Sequence, residues 1–283
     1  MGGVVIAIVG PTASGKSDLA VKIARASGGE VISADSRQVY TGLDIGSGKI
    51  MQREMRGVPH HMLNIASPAH TYTVAQYQKR ARRVLERLLR EGKTAVICGG
   101  TGQYVDAILR DISFPEVKPD RELRAGLEKV STPKLFSRLK KLDPARARTI
   151  DRHNRRRLVR ALEIALHIGA SPKQGGKKYM YPTFFIGINP PQKILHKKIY
   201  DRLLKRIRGG MLAEVHRLHE QGLSWRRLEQ LGLEYRYAAR HLQGKLSKQG
   251  MIDQLYSEIK KYAKRQMTWF KRNEDIHWVF EQG

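Results

Sequence analysis

At 283 residues the chain is long enough for one large domain, or a core with a modest insertion, that needs no disulfide or metal staple. The single cysteine, Cys98, excludes a disulfide framework and any cysteine-based zinc site, and no apolar run approaches the roughly 18–20 residues of a membrane span. Lys and Arg number 53 against 26 Asp and Glu, a formal net charge of +27, and so large an excess points to a polyanionic partner such as nucleic acid.

The chain runs from Met1-Gly2-Gly3 straight into an apolar segment, without the basic start and cleavage site of a signal peptide, so a cytoplasmic protein is expected. Val4–Val9 is a continuous β-branched run of the kind that forms a buried parallel strand. It ends in Gly10-Pro11-Thr12-Ala13-Ser14-Gly15-Lys16-Ser17, which satisfies G-x-x-x-x-G-K-[ST], the phosphate loop of nucleotide- and ATP-binding proteins. The glycines let successive N–H groups turn toward a phosphate, Lys16 adds a point charge, and Ser17 offers a hydroxyl to Mg2+. A helix from Ser17 to Ala26 presents its positive end to the same place.

Glu30–Ala34 reads as a second strand, ending at Asp35. An NTPase normally carries a Mg2+-binding Asp at the end of another apolar strand, but Thr94–Cys98 runs instead into Gly99-Gly100-Thr101-Gly102. Asp35 stands in Ser33-Ala34-Asp35-Ser36-Arg37-Gln38, a polar set too rich for a simple turn. Beside a bound phosphate it is a candidate general base. Thr101 is placed to give a hydroxyl to a diphosphate or its leaving oxygen. His60-His61 invites a metal reading, but neighbours on a strand point to opposite faces, so a hydrogen-bonding role is expected.

Val74–Glu91 has helical spacing and stops at Gly92. From Pro115 to Met180 the texture changes: 18 Lys or Arg stand against 7 Asp or Glu, apolar residues recur at helical spacing, and a polar stretch from Lys173 to Lys178 closes the region. Its densest basic patch, Asp151–Glu163, contains Arg152, Arg155, Arg156, Arg157 and Arg160. Thr183–Ile188 returns to strand character, Pro190-Pro191 leads into a helix over 192–208, further helices reach Lys271, and His277–Phe280 forms a last short strand. The aromatic and basic residues from Tyr256 to Lys271 fit an amphipathic helix with its aromatics in the core. The expected fold is α/β, a P-loop NTPase-like doubly wound parallel sheet from segments 1–114 and 181–283, with a basic all-helical insertion at 115–180.

With these residues in view, the chain resembles the tRNA dimethylallyltransferase (tRNA isopentenyltransferase) family nearly end to end. The resemblance rests on Gly10–Ser17, Asp35–Tyr40, Asp44-Ile45-Gly46-Ser47-Gly48-Lys49, Val58-Pro59-His60-His61, Gly99–Tyr104, Asn154–Glu163, and Lys261–Gln266 with Thr268-Trp269-Phe270. Gln103 replaces the usual apolar residue before Tyr104, and Ser47 stands where Thr is common. The resemblance implies that N6 of adenosine 37 in tRNA, beside the anticodon, attacks C1 of dimethylallyl diphosphate and releases diphosphate. Asp35 is then the base on N6, and Thr101 the partner of the diphosphate bridging region. Gly10, Pro11, Thr12, Ala13, Ser14, Gly15, Lys16 and Ser17 cradle the diphosphate with Mg2+ as cofactor on Ser17, and Arg202 reaches the same group. Asp35, Ser36, Arg37, Gln38 and Thr101 meet the flipped base and its neighbours, while Arg124, Arg156, Arg157 and Arg160 hold the anticodon stem-loop. A monomer is expected.

Three other readings compete. A prenyltransferase acting on free adenine nucleotides needs no basic insertion. A small-molecule kinase consumes ATP and forms no prenyl product, and a non-catalytic RNA-binding protein leaves Lys16, Asp35 and Thr101 without a purpose.

Overall fold

A computed structural model describes residues 3–115, 117–169 and 178–279; the polar residues 173–177 and Phe280 lie outside these. β1 (Val5–Val9) leads through the phosphate loop into α1 (Lys16–Ala26). β2 (Glu30–Ser33), the short α2 (Gln52–Met55) and β3 (His60–His61) follow, then α3 (Val74–Arg90), β4 (Ala95–Gly99) and α4 (Gly102–Leu109). The helices α5 (Arg121–Glu128), α6 (Thr132–Leu142), α7 (Pro144–Thr149) and α8 (Arg155–Ile168) come next. The chain then forms β5 (Thr183–Ile188), α9 (Gln192–Arg208), α10 (Met211–Glu220), α11 (Trp225–Gln230), α12 (Leu233–Leu242), α13 (Lys248–Phe270) and β6 (Ile276–Val279). Local chemistry sets several of these starts. At α3, Thr73 Oγ1 accepts the Gln76 N–H at 3.2 Å while Gln76 Oε1 accepts the Thr73 N–H at 2.8 Å, so two orphan donors are satisfied reciprocally.

All six strands are parallel, in the order β3-β2-β4-β1-β5-β6. α1 covers one face through Ala20, Val21 and Ala24, which pack with Ile8, Val31 and Val96. α3, α4 and α9 to α13 cover the other, against Val5, Ala7, Val9, Ile32 and Ile97. The loop after β1 therefore leaves for one face and the loop after neighbouring β4 for the opposite face. That divergence opens a crevice at the carboxyl ends of the two strands, where open α/β sheets bind ligands. β2 ends at Ser33, although the Ala34 N–H still reaches Cys98 O at 2.8 Å, so Asp35 stands in the turn beyond the strand.

The chain divides into two compact units, Met1–Leu109 with Tyr179–Gly283, and Arg110–Lys178. The second is helical among its described residues and has its own core, with Leu127, Leu135, Leu139, Leu158 and Leu162 buried together. Arg155 closes the end of α5 by donating to Val130 O at 2.6 Å, Leu127 O at 3.2 Å and Glu128 O. No helix among the described residues is long and apolar enough to cross a membrane.

Candidate active site

The phosphate loop is shaped for an anion before any side chain is considered. Ala13 and Gly15 take positive φ, 62° and 90°, and Gly15 caps α1 without a side-chain hydrogen bond. The first N–H groups of α1 are therefore open to a ligand at the positive end of the helix. Lys16 lies buried under the loop, where Nζ donates to Pro11 O and to Ser14 Oγ, the latter at 3.4 Å. Burial pushes its pKa down to about 8; Cys98 and Asp35 oppose the shift and Arg202 adds to it.

A pocket opens beside Lys16 and brings together Thr12, Lys16, Ser17, Asp35, Gln38 and Arg202 from the residues singled out in the sequence. Asp35 Oδ1 accepts the Arg37 N–H at 2.8 Å, which fixes the turn; its other oxygen accepts no hydrogen bond from the described residues. Thr101 Oγ1 accepts the Ser36 N–H at 3.2 Å, and its hydroxyl lies close enough to Tyr262 to act on that phenol. Ser36 and Thr101 thus tie the β2 and β4 loops together, Arg37 closes the turn within the β2 loop, and none of the three is among the residues lining the pocket. Gln38 accepts from Ser33 Oγ at 3.1 Å and donates to Gly48 O at 3.4 Å.

The sequence does not single out Cys98 or His60 for this wall. Burial pushes the Cys98 thiol up to about 11, so it stays protonated and is no nucleophile. His60 Nδ1 lies 2.9 Å from Val58 O on the pocket side, and His61 Nε2 lies 2.6 Å from Glu30 Oε2. The two imidazoles have separate partners, as the strand period dictates.

Arg202 enters the pocket from α9. Burial, with Arg206 adding to it, brings its pKa down to about 10, and its Nη2 donates to Gly48 O at 3.3 Å. Arg206 holds the same loop through Gly46 O at 3.2 Å and pairs with Glu234 at 2.9 Å. A Cβ at Gly48 would overlap both guanidinium groups, so only glycine fits at this approach. From the other side the loop is gripped by buried Glu214, whose oxygens accept the N–H groups of Asp44, Ile45 and Gly46 and the Tyr235 hydroxyl. Lys49, also buried, spends its three donors on Tyr40 O, Asp44 Oδ1 and Asn64 Oδ1.

One face of α13 forms a further wall. Tyr262 and Gln266 line the pocket, and Trp269 Nε1 donates to Asp106 Oδ2 at 3.0 Å. A Cβ at Gly100 would overlap Gln266 and one at Gly102 would overlap Trp269, so the glycines of the β4 loop are the space into which this helix fits. Two signals were present in the sequence: the 262, 266, 269 spacing, which puts all three on one helical face, and glycines at 100 and 102 that need a close neighbour.

In the second unit, Arg124 and Arg160 converge on Glu163 rather than standing free. Arg124 is bidentate to it, Nε and Nη2 each at 2.7 Å, and Arg160 donates to Glu163 Oε2 and, at 2.9 Å, to Val117 O. Burial alone would raise the Glu163 carboxyl; the bonds from Arg124, Arg160 and the Asp120 N–H outweigh it and hold the pKa at about 2. Arg156 and Arg157 are exposed. For a metal, the pocket offers the exposed Ser17 hydroxyl and the Asp35 carboxylate, hard oxygen donors that fit Mg2+ sharing its shell with water and phosphate oxygens.

The family model described as IPP transferase matches residues 38–273. Over 278 residues the chain is 42% identical to "tRNA dimethylallyltransferase 1" of Geotalea daltonii, covering 97% of this chain and 90% of that protein. Among solved structures, the full-length tRNA isopentenylpyrophosphate transferase of Bacillus halodurans superposes with a TM-score of 0.73 at 33% identity, covering 98% of this chain and 89% of that one. A eukaryotic dimethylallyltransferase solved acting on tRNA superposes with a TM-score of 0.82 at 25% identity, covering 98% and 74%.

Proposed function

The chain belongs to the IPP transferase family and transfers a dimethylallyl group to tRNA, and we propose that the donor is dimethylallyl diphosphate and the acceptor N6 of adenosine 37 beside the anticodon. The observation that carries this reading is the charge content of the pocket: Lys16, Arg202 and the open end of α1 offer positive charge to an anion, and Asp35 lines the same pocket. A diphosphate fits the cationic groups, and an amine that must lose a proton fits the carboxylate.

In this reading the N6 lone pair forms the new C–N bond at C1 as the C1–O bond breaks. The electron pair of the broken bond leaves with diphosphate, whose charge is held by Lys16, Arg202 and the loop N–H groups. The proton on N6 passes to the free oxygen of Asp35. Thr101, in touch with Tyr262, serves the bridging region. Ser17 would hold a Mg2+ that neutralises diphosphate charge when bound. Ser36, Arg37 and Gln38 read the flipped base and its neighbours, at an unstacking cost of a few kcal/mol. Arg156 and Arg157 grip the stem-loop phosphates, with Arg124 and Arg160 adding charge from fixed positions.

The test is incubation with unmodified tRNA, Mg2+ and radiolabelled dimethylallyl diphosphate, followed by nucleoside analysis. Label on an adenosine beside the anticodon is expected. Label on free adenine nucleotides alone would replace the acceptor, and ATP turnover without prenyl transfer would replace the reaction.

A further inference from the structure

The Gln266 side chain is buried, yet both ends of its amide are used, and on two different loops. Oε1 accepts the Thr12 N–H at 2.9 Å, from the loop after β1. Nε2 donates to Gly100 O at 2.8 Å, in the loop after β4. These are the two loops whose divergence opens the crevice, and one carries the anion site while the other carries Thr101. Two consequences follow. The Thr12 N–H is spent on Gln266, so the backbone cradle for phosphate starts beyond Thr12. The distance between the two loops is set by the length of one amide, since at Gly100 no Cβ fits between them.

Resting on the reading of the site given above, we propose that Gln266 is a positioning residue that fixes the separation of the phosphate loop from the Thr101 loop, and so holds the diphosphate in register with the groups that act on it. Both polar ends of its amide are taken by the two loops, which leaves neither for a reactant. Small displacements of such a frame are costly, because about 1 Å at a reacting centre removes roughly a hundredfold in rate. An amide filling core space would need only to satisfy its own polar atoms. Here it joins two segments far apart in the chain, and the neighbouring face of α13 clamps the same β4 loop through Trp269.

The test uses Gln266→Glu, whose protonated carboxyl can both accept from Thr12 and donate to Gly100 O, while the ionised form cannot donate. Inorganic diphosphate binding is measured by calorimetry for the full chain and for Q266E from about pH 5.5 to 8.5. The facing titratable groups, Lys16, Asp35, His60, Cys98, Arg202 and Tyr262, are common to both proteins, so the ratio of affinities isolates the new carboxyl. Burial raises that carboxyl above the ordinary glutamate value. The expected ratio is at least about tenfold against Q266E at the alkaline end and closes toward one at the acid end. A ratio constant with pH overturns the proposal, whatever the acceptor proves to be. Gln266→Ala is the second variant: kcat for prenyl transfer falling roughly 10- to 100-fold, with KM for tRNA within about twofold, supports the role. An unchanged kcat overturns it. Loss of transfer by the unmodified chain would sink the functional reading instead, and the binding ratio would still decide Gln266.

Discussion

The Glu214 carboxylate accepts the Ile45 N–H at 2.7 Å and, through the same two oxygens, the N–H groups of Asp44 and Gly46, each at 3.0 Å. Three consecutive backbone donors close on a buried anion supplied by the chain itself. The loop so held carries Gly48 O, against which Arg202 is set. Glu214→Ala leaves the three donors without a partner, at a cost of about 3 kcal/mol and a melting temperature lower by roughly 5–10 °C. It also raises the donor KM by freeing Arg202. A variant that melts like the parent would show that the loop holds itself.

In the proposed scheme Lys16 makes donor binding depend on pH with a definite sign. In the free protein its pKa is lowered to about 8, so the ammonium is present below that value and lost above it. Donor affinity is therefore full on the acid side and declines as pH rises through about 8. Bound diphosphate favours the charged form, so the limb in kcat lies at higher pH than the limb in kcat/KM. Profiles for both constants between pH 6.5 and 10 check this, and a flat kcat/KM would remove Lys16 from the anion site. Lys16→Ala lowers kcat/KM by roughly 10²–10³.

Asp35→Asn separates the base from the turn. The amide oxygen still accepts the Arg37 N–H, so the loop keeps its shape. We expect kcat to fall by roughly 10²–10⁴ while tRNA affinity stays within about threefold. Equal losses in both would assign Asp35 to binding.

The arginines of the second unit divide by what they touch. Replacing exposed Arg156 and Arg157 with Ala raises the tRNA KM and flattens its salt dependence by about 1–2 in the log–log slope. Arg124→Ala instead exposes Glu163 to an unbalanced burial, and speeds amide hydrogen exchange in α5 and α8. An unchanged salt slope for the double variant would move the RNA surface elsewhere.

What was legible in the sequence was what is local. The β-branched run before Gly10 and the spacing of the phosphate loop define β1, the turn and α1 without help from the rest of the chain. The parallel sheet followed from alternating strands and helices. Asp35 drew notice because its neighbours are polar, and Arg202 only through resemblance. The partners that position these groups were hidden, because they are remote in sequence: Gln266 meets Thr12 from 254 residues away, and Glu214 meets Ile45 from a distant helix. A pattern of charge likewise could not separate Arg156 and Arg157 from Arg124 and Arg160, since burial of Glu163 decides which arginines are spoken for. His60-His61 behave as strand neighbours with separate partners, and take their place beside β2 by pairing.

The Met180 N–H meets Leu109 O at 2.8 Å, so the core chain is joined by a backbone bond where it departs and returns. The sheet is thus complete whether the excursion between these points is long or short, because lengthening a closed loop costs only about 0.6 kcal/mol per doubling. Selection can therefore lengthen, shorten or recharge that excursion without disturbing the register of a single strand beneath the chemistry.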